Sequence, residues 1–242
     1  TGVPPAVHGI AGNYFYDREA DAEVMMNDPA MLRCGTILAA FAKAGAVVTV
    51  ITAKDKLRRM LGHELQGICF SAEKADQATL DDNGVEDVLG MLGRPLPSVY
   101  TADLSEFIFA AGVALMKRLR PDITYLSTTD YVQHKHAPGT DDANAFYAMM
   151  DGYWAKLDAL GCTVALTADH GMSAKSRMVD LKSALEKYGI GARPVPIIKD
   201  RYVVHHSNLG GCIFVYLDTD GPGGQLDEAL KVLRETPGVE EA

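Results

Sequence analysis

Two apolar rhythms alternate along the chain as far as residue 172. Short β-branched runs predict buried strands over residues 46–52 (AVVTVIT), 67–71, 122–127 (DITYLS) and 162–168 (CTVALTA). Between them, helical spacing takes over. Asp28 and Pro29 cap and open a helix through about Ala44, with Leu32, Ile37, Ala40 and Phe41 on one stripe and Gly45 at its end. A short helix is expected over 85–92. Leu104, Phe107, Ile108, Ala111, Leu115 and Leu119 predict an amphipathic helix over 103–119, N-capped by Asp103. Residues 141–160 form another, with Phe146, Met149, Met150, Tyr153, Trp154 and Leu157 inward. Strands alternating with helices of this length predict an α/β fold with a mostly parallel sheet flanked by helices.

The pattern changes after Met172. A helix over 179–188, a Gly/Pro connection over 189–196, strands over 201–206 and 211–217, a helix over 226–234 and a new strand start at Val239 suit a smaller α+β layer. The expected division is a core of residues 1–176 and the start of an α+β cap region over 177–242. Residues 1–17 read as a loop, and Gly221–Gly224, lacking the Lys and Ser/Thr of a P-loop, as a turn.

Composition narrows the class. With 242 residues, 48% hydrophobic and 23% charged, the chain can bury a full core. A formal charge of -9 leaves no excess of cations for phosphate neutralisation along a nucleic acid. No apolar run is long enough to span a membrane. Cys34, Cys69, Cys162 and Cys212 are widely spaced with no C-x-x-C, so they read as buried free thiols of a reducing, cytoplasmic compartment.

Candidate chemistry gathers where strands end. Asp169 and His170 follow directly on residues 162–168, and an open α/β sheet places its ligands past the carboxyl ends of its strands. Asp-His-Gly alone is an ordinary turn. Asp130 lies just past 122–127 with His134 four residues on, so one helical turn stacks both on a face able to grip a Zn²⁺-like cation. The competing reading makes Asp130 an N-cap and His134 an exposed helix residue. His136 lies off that face and is peripheral. Lys54 and Lys56, past 46–52, share a side if the backbone is extended; in a helix they diverge by about 200° as two solvated lysines. His8 and Asn13 lie in the opening loop, where bonding to neighbouring backbone is the bland alternative.

Together, Asp130-x-x-x-His134 and Thr-Ala-Asp169-His170-Gly-Met resemble the metal motifs of the alkaline phosphatase superfamily. The opening Thr1-Gly2-x-x-Pro5-x-x-His8-Gly9-Ile10, with Asn13 and Tyr16-Asp17, is similar to its nucleotide pyrophosphatase/phosphodiesterase branch. Lys54, Lys56 and the run from Leu126 through Asp130, His134 and His136 to Gly139 resemble, more narrowly, the phosphonoacetate hydrolases. The resemblance implies an alkaline-phosphatase-like core and two zinc ions, one on Asp130 and His134, the other on Asp169 and His170. It implies that Asn13 donates to a phosphonyl oxygen, that Lys54 and Lys56 hold the substrate carboxylate, and that a zinc-held Thr attacks phosphorus.

By the same resemblance, the nucleophilic Thr and one zinc-ligating Asp belong before Thr1, and a last zinc-ligating His beyond Ala242. Each metal site would then keep two of its residues, and this span alone is expected to be inactive and to bind zinc weakly. The expected partner is a small anionic phosphonate, with no nucleic acid and no membrane; a homodimer is left open. Two other readings compete: a phosphodiesterase or pyrophosphatase of the same superfamily, and a non-catalytic binding module with incomplete metal sites.

Overall fold

The computed structural model describes residues 1–173, 177–198, 211–218 and 224–242. In chain order come α1 (Pro5–His8), β1 (Tyr14–Asp17), β2 (Ala22–Met25), α2 (Ile37–Lys43), β3 (Val48–Thr52), α3 (Asp55–Leu61) and β4 (Ile68–Ser71). Then follow α4 (Leu80–Asn83), α5 (Val88–Leu92), α6 (Ala102–Leu119), β5 (Ile123–Ser127), α7 (Tyr131–Lys135) and α8 (Asp141–Ala159). The last are α9 (Leu181–Glu186), β6 (Ala192–Pro196), β7 (Ile213–Leu217) and α10 (Gly224–Glu235). The chain divides into two compact units: Thr1–Ile10 with Asn27–Met172, and Ala11–Met26 with Ser173–Ala242.

The first unit is built on a parallel sheet of order β4-β3-β5. Every residue of β3 is buried, as a central parallel strand covered on both faces must be. Val48 and Val50 face a cluster with Leu38 of α2 and Cys69, while Ile51 and Phe70 pack with Leu104, Phe107, Ile108 and Leu115 of α6. Gly112 lets α6 come close to β5, because a Cβ there would lie 2.9 Å from the Leu126 methyls. The far side of α6 meets α8 through Phe109, Val113, Phe146, Met150, Tyr153 and Leu157. Among the described residues no helix is long and apolar enough to cross a membrane.

Several elements differ from their sequence expectation. The helix expected from Asp28 to Ala44 is two pieces. Asp28 caps a 3₁₀ turn, Pro29–Met31, and Thr36 caps α2 afresh by accepting the Ala39 N–H. Two consecutive N-cap signals outweigh one apolar stripe. The cap position of α6 falls to Thr101 rather than Asp103.

The largest difference is at residues 162–168, which form no strand. Val164 and Leu166 are exposed, at 37% and 61%. A parallel strand needs a bonded neighbour, and none of the described strands pairs with this stretch. A cleft of about 1430 Å³ is lined by it and by β5 residues 124–127. Of the cysteines, Cys69 is buried, Cys34 and Cys162 are half-buried and Cys212 is exposed; all are free. Burial chiefly pushes the Cys69 thiol up to about 11.

In the second unit, part of the expected opening loop is a hairpin of β1 and β2. Its turn lacks glycine; the Asp17 carboxylate accepts the Glu19 and Ala20 N–H groups instead. The expected Gly/Pro connection contains β6, paired antiparallel with β7. Pro194 and Pro196 are tolerated because β6 needs ladder bonds on one side only. Leu185, Ile190, Ala192, Ala229, Val232 and Leu233 form a separate core. No strand begins at Val239, whose N–H closes a turn onto Thr236. The strand expected over 201–206 lies outside the described residues, as does the turn at 221–224 except for Gly224, which opens α10.

Phe107, 2% exposed at the centre of the α6–sheet contact, gives the fold's clearest test. Phe107→Ala should cost about 3–5 kcal/mol in urea unfolding; a loss under about 1 kcal/mol would show that the α6–sheet contact is not what holds the unit.

Candidate active site

Parallel register sets the site. Thr52 of β3 lies level with Ser71 of β4 and Ser127 of β5, so the segments that follow leave the sheet at one edge. The β3–β5 ladder runs one residue further, with the Ala53 N–H donating to Ser127 O at 2.9 Å. Lys54 is still extended (φ -107, ψ 139) and α3 begins at Asp55. The boundary therefore falls between the two lysines.

A local network fixes that boundary. The Thr52 hydroxyl donates to Lys54 O at 2.9 Å, the Asp55 N–H to Glu73 Oε2 at 2.8 Å, and the Glu73 N–H to Ala53 O at 3.1 Å. The Asp55 carboxylate accepts from Arg58 Nε at 2.6 Å and Ser71 Oγ at 3.2 Å, with Lys74 Nζ at 3.6 Å. Burial pushes Asp55 up, but the Arg58 bond and charge, Lys74 and Ser71 outweigh it and hold the carboxyl below its ordinary range.

Lys56 goes the other way. Burial first, then the Lys54 ammonium, pull it below its ordinary value of 10.5. Among the described residues it has no carboxylate partner. A half-buried cation beside a second cation is a place where an anion would relieve both costs.

Asp130 and His134 follow β5. The segment is tied to α6 where the buried Thr129 N–H donates to Ser105 Oγ at 3.4 Å. Asp130 occupies the N-cap position of α7 but makes no side-chain capping bond. Its Oδ2 instead lies 3.0 Å from His134 Nε2, and the His134 side chain is only 18% exposed. His136 turns to Asp142, with Nδ1 3.1 Å from Oδ2.

Asp169 and His170 form a second, exposed pair, Oδ2 to Nε2 at 3.6 Å, with His170 Nδ1 2.9 Å from Gly171 O. Asp130, His136, Asp169 and His170 all line the 1430 Å³ cleft, together with Ser127 and Thr128. Among the described residues no three His, Cys, Asp or Glu side chains gather as a metal-binding group. The donors stand as two Asp/His pairs, each offering the oxygen and nitrogen that a borderline divalent cation takes and each short of a full set.

His8 and Asn13 are the remaining candidates. His8, in the first unit, accepts the Ile10 N–H on Nδ1 at 3.1 Å. Asn13 belongs to the second unit, where its N–H donates to Ile197 O and its carbonyl accepts the Met26 N–H, both at 2.8 Å. Glu73 escaped the sequence reading, although it stands two residues past β4 as Lys54 stands two past β3; paired register is the signal that finds it.

The sequence profile of the family described as type I phosphodiesterase / nucleotide pyrophosphatase matches residues 1–237. Two crystal structures of phosphonoacetate hydrolase from Sinorhizobium meliloti 1021 are similar to this chain. The complex with phosphonoformate is 48% identical with a TM-score of 0.89, and the complex with phosphonoacetate 49% identical with a TM-score of 0.90. Each match covers 97% of this chain and 59% of the other, so the chain spans well under two thirds of the length of either.

The strained cation supplies a test. Because the folded pKa of Lys56 is depressed, the cost of its charge is full below that pKa and fades as pH rises through it toward 10.5. Lys56→Met should therefore raise Tm at pH 7, with the gain shrinking by pH 10. A lower Tm at pH 7 would show that the ammonium is stabilising where it sits.

Proposed function

The chain belongs to the type I phosphodiesterase / nucleotide pyrophosphatase family, and from that premise we propose that it hydrolyses the carbon–phosphorus bond of phosphonoacetate to acetate and phosphate. The observation that carries this reading is the lysine pair. Lys54 and Lys56 stand past the end of β3, and Lys56 is a desolvated cation lacking a carboxylate of its own among the described residues. A phosphodiester has no carboxylate for such a pair to hold. The match to phosphonoacetate hydrolases at 48–49% identity supports the same choice.

In this proposal Asp130 with His134, and Asp169 with His170, would hold two divalent ions, zinc by donor type. Such ions would supply positive charge at the site and lower the pKa of the attacking hydroxyl. The attacking group is a Thr hydroxyl, as the family resemblance implies. Its oxygen bonds to phosphorus as the P–C bond breaks, and water then releases phosphate from the threonyl ester.

The electron pair of the P–C bond passes to carbon, a far poorer leaving atom than oxygen. It delocalises into the carboxylate as an enediolate, and uptake of a proton at carbon gives acetate. Lys54 and Lys56 face the group on which that charge grows. Their contribution thus strengthens along the reaction, in the manner of an oxyanion hole.

The complete gene product, supplied with Zn²⁺, should release acetate and phosphate from phosphonoacetate faster than it cleaves a nitrophenyl phosphodiester. It should also carry two metal ions per chain. Lys54→Ala should lower kcat and kcat/KM together by about 10²-fold. Diester cleavage without acetate release would favour the phosphodiesterase alternative, and absence of metal a binding module.

A further inference from the structure

Lys54 lies over an aromatic side chain that none of the motifs contains. Tyr100 lies in the turn before α6, half-buried, with Lys54 Nζ 4.6 Å from its ring centroid. That is within the range at which an ammonium is attracted to a ring face. Tyr131, the residue after Asp130, packs against Tyr100 with centroids 6.2 Å apart and planes inclined at 50°. A chain of contacts, Lys54–Tyr100–Tyr131, therefore links the loop after β3 to the first residue of α7.

The chemistry of that partner matters. A carboxylate in the same place would fix Lys54 but cancel its charge. A ring face can orient an ammonium without itself neutralising the charge. The four rotatable bonds of a lysine would otherwise spread its ammonium over many positions.

We infer that Tyr100 is a positioning residue, which holds the Lys54 ammonium at the carboxylate end of the substrate and ties that end to the Asp130–His134 segment. The inference rests on the phosphonoacetate reading above. It assigns Tyr100 no contact with the reacting atoms. The role is assigned to the ring face over which the ammonium lies.

The test uses the complete gene product and three forms: unsubstituted, Tyr100→Phe and Tyr100→Leu. Calorimetry with phosphonoformate reads binding, acetate release from phosphonoacetate reads turnover, and metal content and Tm check the fold. Tyr100→Leu should weaken phosphonoformate binding about 10-fold and lower kcat/KM at least as much, with metal content unchanged. Tyr100→Phe should stay within about 2-fold of the parent on both.

Equal binding and turnover by Tyr100→Leu and parent would overturn the inference while leaving the phosphonoacetate reading intact. Parallel losses in both variants would overturn it too, by pointing to the hydroxyl. If the unsubstituted protein neither binds phosphonoformate nor releases acetate, the parent reading fails and this inference with it.

Discussion

Backbone register between β3 and its two neighbours is the constraint on which the rest depends. Thr52, Ser71 and Ser127 are level, and all three strands run the same way. Lys54 and Lys56, Glu73 and Asp130 are therefore delivered to one edge by ladder bonds, before any of their side chains interact. A one-residue slip of β5 would move Asp130 along the edge and turn Leu126 away from α6. The burial of every β3 residue makes such a slip costly, so the hydrophobic core guards the register.

At that edge the structure separates two kinds of charge. Asp55 is wrapped by Arg58, Ser71 and Lys74, which settles its carboxylate and keeps it from its sequence neighbours. Lys56 is left desolvated beside Lys54. One residue of backbone geometry separates a satisfied anion from a frustrated cation. A desolvated charge of that kind costs stability unless an anion comes to meet it.

Elements whose signal lies within their own residues were legible in the sequence. The 103–119 stripe is α6 to within a residue, and residues 46–52 contain β3, because periodicity and β-branching are local properties. The closeness of Asp130 and His134 was legible for the same reason, being a matter of one helical turn. Residues 162–168 carry an equally strong strand composition and form none, since a strand is a property of two segments. The β1–β2 hairpin was hidden because its turn uses the Asp17 carboxylate in place of a glycine. Glu73 and Tyr100 were silent for a related reason: each reaches the lysine loop from a distant part of the sequence. Whether Lys54 and Lys56 cooperate turns on where α3 starts, to the residue, and sequence patterns rarely resolve helix ends that finely.

Among the described residues β5 pairs on one side only, and that has a practical consequence for anyone handling the protein. Along the other side, Tyr125 is 40% exposed, and Val164 and Leu166 stand bare across the cleft. An edge strand beside exposed apolar side chains is a surface on which another molecule can dock edge to edge. Self-association along this seam would limit the concentration of a sample, and a charged residue at position 125 or 166 is where an engineer would begin.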